Sequence, residues 1–440
     1  EQDLYLIPII DAGVKVENGY DVYEEGKENG YFCKDENGED FVIGVWPGKC
    51  CFPDMLNDEA RQWFGDKYRI LIDKGIDGFW NDMNEPAIFY SEKHLKEVFE
   101  KMEDYKTMNL DVNTFFEMTG MIGSICNNPE DYASFYHNYR GKRYRHDQVH
   151  NLFGYYMTRS ASEAFERYVP EKRILLFSRA SYIGMHRFGG IWQGDNASWW
   201  SHLKMNVKMM PSLNMCGFLY TGADVGGFGA DATEDLVLRW LEFAVFTPLL
   251  RNHSARGTRR QEVYRFSHVE KFADVIGVRY QILPYIYSEY MKAALRNTMM
   301  FNPLSFLYGE DALARQVEDQ LFIGENVMVA PVCEQNVTGR VVYFQERMKQ
   351  LIFKDGIVEE GKVYEKGFSY VEMPMGTVHI FLREGYLFPV AKGGKCVEAV
   401  DFEDLTLYSF GEEIKPYEYY LDDGETKDFA LESHIRMLSC

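Results

Sequence analysis

The sequence predicts an α/β fold. It reads as a (β/α)8 TIM barrel, N-terminally truncated to about six strands and followed by C-terminal antiparallel β domains. Three observations point there. Short apolar runs each end in a polar residue, helical stretches lie between them, and the texture changes after about residue 296. Barrel strands are buried on both sides and deliver polar side chains at their C-terminal ends, where barrel enzymes keep their sites.

The first run, Leu4-Tyr-Leu-Ile-Pro-Ile-Ile-Asp11, has this form and is followed by Ala-Gly. Asn57 then caps a helix whose apolar residues Trp63, Phe64, Tyr68 and Leu71 recur at helical spacing, and Gly75 stops it. The run Gly78-Phe-Trp-Asn-Asp82 ends in a carboxylate, and further strands are expected over 173–178, 190–195 and 215–224. Residues 87–150 break the rhythm with a charged, Met- and Tyr-rich stretch, expected to be a partly helical excursion from one βα loop. Beyond 296, short patterns over 326–331, 341–344 and 378–382 alternate with Gly and charged turns, as in antiparallel sheets. The expected organisation is a catalytic barrel over 1–295 carrying the insertion 87–150, a proximal β domain over 296–394 and a distal one over 395–440.

Composition narrows the function. The 440 residues are 46% hydrophobic and 26% charged, a folded mixture rather than a disordered one. Forty-seven basic against 68 acidic residues leave a net charge of −21, which repels phosphate backbones and anionic membranes. Neither nucleic acid nor membrane is therefore expected as a partner. Aromatics reach 15%, mostly as packing, with a minority available as platforms under sugar rings. The eight cysteines form no Cys-x-x-Cys pair and suit a reducing compartment, so a cytoplasmic location is expected.

Two strand ends carry chemistry. Trp80-Asn-Asp-Met-Asn-Glu-Pro86 gathers Asp82, Asn84 and Glu85 beside a Trp, and Trp192-Gln-Gly-Asp-Asn196 offers Asp195. A lone acid at such a place is commonly a helix cap or an ion-pair partner. Two of them on separate barrel strands form the pair that glycoside hydrolysis uses, one attacking the anomeric carbon and one protonating the leaving oxygen. No cofactor is required. His146 and His150 stand at i, i+4, a spacing that zinc can use. No third ligand is evident in the sequence around them, so no metal is expected. Gly226-Gly227 lacks the Lys-Ser/Thr of a phosphate loop.

Trp80–Pro86, Ser178-Arg179-Ala-Ser, Trp192–Asn196, Gly222-Ala-Asp-Val-Gly-Gly-Phe228 and Arg251-Asn-His253 follow one another in an order that resembles glycoside hydrolase family 31. Trp46-Pro-Gly and Phe52-Pro-Asp54 extend the likeness, which looks closest to bacterial intestinal α-glucosidases acting on isomaltose and maltose. The resemblance implies a retaining exo-α-glucosidase with Asp82 as nucleophile, Asp195 as acid/base and an α-linked oligosaccharide as partner. It implies Arg179 and His253 as hydrogen-bonding groups for the sugar. Asp11, Trp46, Trp80, Met83, Trp192 and Phe228 would line the first subsite, and Asp224 would sit behind them. From the residues alone, Arg179 could simply pair with a buried acid, which is compatible with binding sugar, and His253 could be a satisfied core group.

The family pattern begins with a β-sandwich and two barrel strands that precede anything matched here. An eight-stranded barrel left with six strands would expose an edge and apolar surface. An α-xylosidase of the same family and an inactive truncated fragment are the rival readings. Linkage preference and oligomeric state, a homo-oligomer included, stay open.

Overall fold

A short parallel sheet organises the first of two compact units into which the chain divides, Glu1–Ile191 and Trp192–Cys440. The computed structural model describes residues 4–440. In the first unit β1 (Ile9–Asp11), β2 (Gly78–Asp82), β3 (Leu175–Ser178) and β4 (Gly190–Ile191) lie side by side in that order, all parallel. β2 spans the expected residues, whereas β1, β3 and β4 are shorter than their apolar runs. β4 stops because Gly194 takes φ +74° and turns the chain just before Asp195. Leu4, Tyr5 and Leu6, leading into β1 at the end of the sheet, are 75%, 74% and 69% exposed.

The helix Asp58–Lys67 begins where Asn57 accepts bonds from the Glu59 and Ala60 amides. It buries Trp63 and Phe64 and packs against the helix Leu152–Tyr168. Phe165 of that second helix stacks on Phe79 of β2 at 5.4 Å, so helix and sheet share one core. Gly154 on the same helix lets it approach the Asp82 loop. A Cβ there would stand 2.8 Å from the Asn84 carbonyl oxygen and 2.7 Å from the Ala180 methyl.

The excursion over 87–150 is helical through Glu92–Tyr105 and Val112–Gly123, and the second of these helices buries no residue. Both its ends are tied to the segment between β1 and β2. Tyr90–Ser91 pairs with Val42–Val45, and Phe135–Tyr139 pairs with Lys34–Asp35.

In the second unit the segments around Gln193, Gly222 and Leu249 run alongside one another but make few ladder bonds. The Gln193 amide donates to Gly222, the Leu249 amide to Thr221 and the Val225 amide to Arg251, and Asp224 pairs with Arg251 in an isolated parallel bridge. The expected strand over 215–224 is therefore corrected. Met215 closes the helix Trp200–Met215, Gly217 at φ +89° ends it, and only the residues beyond extend. Gly222 is needed for the close approach, since a Cβ would lie 1.9 Å from the Leu249 carbonyl oxygen.

The helices Glu234–Ala244 and Val269–Arg296 share a core with the strands that follow. Phe301–Pro303, Leu321–Ile323, Val327–Val329, Val378–Arg383, Met348–Lys354 and Ile357–Tyr364 form a six-stranded antiparallel sheet in that order. Smaller two-stranded sheets complete the unit. All eight cysteines are free thiols, four buried and four exposed. No helix among the described residues is long and apolar enough to cross a membrane.

Candidate active site

Asp82 is the last residue of β2, and β1 places Asp11 directly opposite it in register. β3 ends one step away, so Arg179 emerges beside both, its amide bonded to the Asn81 carbonyl. Parallel pairing thus brings three polar side chains from distant sequence to one end of the sheet.

The loop after β2 is held from below. Asn81 is fully buried and accepts a 2.6 Å bond from the Tyr68 hydroxyl. Asn84, also fully buried, donates to Ser178 Oγ at 2.9 Å and accepts from the Ala180 amide at 3.1 Å. Met83 takes the left-handed conformation, φ +55°, which turns its amide back onto Asp82 Oδ1 at 2.7 Å. Arg179 then forks Glu85, with Nε to Oε1 at 2.7 Å and Nη2 to Oε2 at 2.9 Å, while Nη1 lies 3.1 Å from Asp82 Oδ1. Met83 Sδ caps the guanidinium at 3.1 Å. The ion-pair reading of Arg179 is seen, with Glu85 and Asp82 among its partners, and it is compatible with a role toward sugar. The sequence reading gave Glu85 no role, although its place three residues after Asp82 put it within reach.

The electrostatics follow. Burial, and then the charge of Asp82, push the Asp11 carboxyl up to about 6, against the pull of Arg179. Trp80 is buried in β2 and stacks on Phe177 of β3 at 5.9 Å, which makes it part of the floor. Trp46 stands 71% exposed and meets Phe89 edge-on at 4.9 Å.

In the second unit the expected residues form another cluster. Asp224 is fully buried and accepts a 2.7 Å bond from Arg251 Nε. The Arg251 guanidinium lies over the ring of Trp192 at 5.1 Å. Asn196 donates to the Asp224 carbonyl and accepts from the Phe228 and Gly229 amides, which fixes the turn next to Asp195. Asp195 itself is exposed. Phe228 stacks on His253 at 5.2 Å, and burial, then Arg251, hold that imidazole down at about 4, hence neutral at pH 7. Arg251 was quoted in its motif without a role. Asp224, on the adjacent segment, is the acid that it serves.

His146 and His150, at a spacing that zinc can use, continue a hydrogen-bonded line with His137 and Asp54. A separate group is formed by Cys33, Asp54 and His137, whose donor atoms lie within 4.8 Å of one another, all three buried. These three come from two loops and the strand Phe135–Tyr139, so spacing in the sequence could not show the group.

Comparison with known proteins agrees over nearly the whole chain. Residues 1–289 match the glycosyl hydrolases family 31 TIM-barrel domain, and residues 297–388 match the family 31 C-terminal domain. The chain is 31% identical over 442 aligned residues to alpha-glucosidase 2 of Bacillus thermoamyloliquefaciens, covering 99% of this chain and 51% of that protein. In structure it is similar to the Flavobacterium johnsoniae family 31 dextranase complexed with glucose, with a TM-score of 0.78 at 23% identity, 97% of this chain and 49% of that one. The Tris-bound glucosidase II alpha subunit gives a TM-score of 0.80 at 24% identity, 98% of this chain and 44% of that one. The chain spans about half the length of the curated relatives it matches. With its barrel domain and its C-terminal domain both matched in order, the chain belongs to glycoside hydrolase family 31.

Proposed function

We propose that this chain carries the reacting carboxylates of a retaining exo-α-glucosidase that releases glucose from short α-linked oligosaccharides of the isomaltose and maltose type. The observation that carries the reading is the setting of Asp82. It is a strand-end carboxylate fixed by a backbone amide and a guanidinium, with a second acid in register beside it. The family, and relatives that bear the name α-glucosidase, support the substrate class.

In this reading Asp82 attacks the anomeric carbon while Asp195 gives its proton to the glycosidic oxygen. The C–O bond breaks, the leaving sugar departs as an alcohol, and a β-glycosyl ester on Asp82 remains. Asp195, now ionised, takes a proton from water, whose oxygen displaces Asp82 and restores both acids. Arg179 and the Met83 amide orient the nucleophile and favour its charged form. Asp11 and His253, the latter neutral, offer hydrogen bonds to sugar hydroxyls, and Trp46, Trp80, Met83, Trp192 and Phe228 border the ring, with Asp224 behind. Two carboxylates complete the cycle without a cofactor. The eight free thiols support a cytoplasmic setting.

A fluorinated α-glucosyl fluoride, which slows departure of the glycosyl group, should label Asp82, and peptide mass mapping would locate it. Turnover of p-nitrophenyl α-glucoside should exceed that of the α-xyloside, and Asp195→Ala should retain activity on such activated leaving groups while losing it on isomaltose. A label on any residue other than Asp82 would sink the assignment.

A further inference from the structure

Next to the Asp82 loop runs a line of hydrogen bonds that the reaction just described does not use. Asp54 Oδ1 lies 2.8 Å from His137 Nδ1, His137 Nε2 lies 2.9 Å from His146 Nδ1, and His146 Nε2 lies 2.8 Å from His150 Nδ1. Asp54, His137 and His146 are buried, and His150 is half-buried.

The chemistry of the ends fixes the direction of the whole line. Asp54 already accepts the Asn138 amide on Oδ2 at 2.7 Å and the Leu56 amide on Oδ1, so it acts toward His137 as an acceptor. A neutral His137 then carries its proton on Nδ1. Its bare Nε2 requires a proton on His146 Nδ1, and the same step repeated puts one on His150 Nδ1. Burial holds His146 far below the usual imidazole range, with His137 and His150 adding to this, and burial lowers His150 as well, so both rings stay neutral. Cys33 agrees with this register. Burial keeps it a thiol, which donates to the Pro53 carbonyl and turns sulfur toward His137 Nδ1 at 3.5 Å.

The line ends against the active loop. The His150 ring meets Tyr132 edge-on at 5.0 Å, and the Tyr132 hydroxyl lies 3.0 Å from the Pro86 carbonyl oxygen and 2.9 Å from Asn127 Oδ1, which share its one proton. Pro86 follows Glu85, whose charge is felt by both His150 and Tyr132. Glu85 is the carboxylate that grips Arg179, and Arg179 touches Asp82.

We propose that Asp54 is a positioning residue for Asp82: through a one-directional line of three imidazoles it sets the tautomer and orientation of His150 against Tyr132, the residue that holds the Pro86 carbonyl next to Glu85, and so keeps Arg179 aimed at the nucleophile. The inference rests on the glucosidase reading for its kinetic consequence only. The direction of the line is a separate physical property. A cation held by Cys33, Asp54 and His137 is the competing use of the same atoms.

The decisive variant is Asp54→Asn. One amide oxygen replaces two acceptors, and the shorter bond to the Asn138 amide takes it, leaving an NH2 group facing His137. All three rings should then reverse. Nitrogen NMR of histidine-labelled protein should show His137, His146 and His150 protonated on Nδ1 in the parent chain and on Nε2 in Asp54→Asn. Labelling of Asp82 by the fluorinated glucosyl fluoride should slow about ten- to a hundredfold, the scale of small misplacements of a reacting group, with its half-saturating concentration unchanged. Should Asp54→Asn fold poorly, His146→Gln provides the second measurement. It should slow labelling to the same degree, and the double variant should be no slower than either single one. Tautomers that stay put in Asp54→Asn, or that reverse while labelling proceeds at the parent rate, would overturn the proposal. So would zinc retained by the purified parent chain and lost from Asp54→Asn. If the parent chain takes no label at Asp82, the glucosidase reading fails, and the NMR result still decides the direction of the line.

Discussion

Asp11 and Asp82 stand opposite one another on the paired parallel strands β1 and β2, and the charge of the second helps to raise the first to about 6. In Asp82→Asn the Asp11 midpoint should fall, while staying above the ordinary carboxylate value because burial is the larger cause. Carbon NMR of the labelled carboxyl carbons would check it. An Asp11 midpoint unmoved by Asp82→Asn would mean that the two acids are electrostatically independent.

The same shift has a sign in stability. Asp11 titrates at about 6 when folded, against 3.8 for the free side chain, so the folded state holds the extra proton between those values. Its contribution is fully present below the unfolded value and is lost as pH rises through the folded one. Asp11→Asn should remove this part of the pH dependence and leave the chain more stable at pH 7. Urea melts across pH 4 to 7 would show it, and a slope unchanged by the substitution would refute it.

Arg179 presents a planar fork to Glu85 and a third nitrogen to Asp82, a geometry that lysine cannot copy. Arg179→Lys should lower kcat/KM on p-nitrophenyl α-glucoside about a hundredfold, the usual scale for removing a donor aimed at a reacting oxygen. Retention of the parent kcat/KM would show that charge alone suffices there.

Asp224 has no exposed surface and takes its charged bond from Arg251. Arg251→Met should destabilise the protein by about 3 kcal/mol, because a buried carboxylate loses its ion-pair partner. Arg251→Met combined with Asp224→Asn should recover part of that loss. Denaturant unfolding of the three variants would test it, and equal loss in the single and double variants would count against a charge effect.

Cysteine reactivity should divide the eight thiols evenly. Burial pushes Cys50, Cys51 and Cys333 up to about 12 and raises Cys33 well above the ordinary thiol value, whereas Cys126, Cys216, Cys396 and Cys440 are exposed. Iodoacetamide should modify four cysteines in the folded protein and all eight in guanidinium, as counted by intact mass. Fast native labelling of Cys33 would show that its loop opens.

What the sequence revealed depended on how local the cause was. Gly78–Asp82 was legible because a buried parallel strand is a continuous apolar run, and Asn57 was legible because an N-cap acts within three residues. The stretch before Asp224 was not, since a short helix tail and an extended segment share the same apolar composition until Gly217 separates them. Asp11 and Asp82 were picked out singly as strand-end residues, Arg179 entered through the family resemblance, and β pairing supplied their juxtaposition. The partnership of Arg179 with Glu85 stayed undecided, because a guanidinium that binds a sugar and one that binds an acid look alike in sequence. The histidine line escaped notice for a simpler reason. Only His146 and His150 share a period; Asp54 and His137 join them from a loop and a strand whose separation carries none.

The excursion over 87–150 has both feet stitched to residues 34–44. Its later part, with Tyr132, His137, His146 and His150, backs the Asp82 loop, whereas its helix Val112–Gly123 buries nothing. That helix is a socket: its length, charge and shape can be exchanged while the residues behind the Asp82 loop stay where they are. Variation in what the protein adheres to has a ready place to accumulate there.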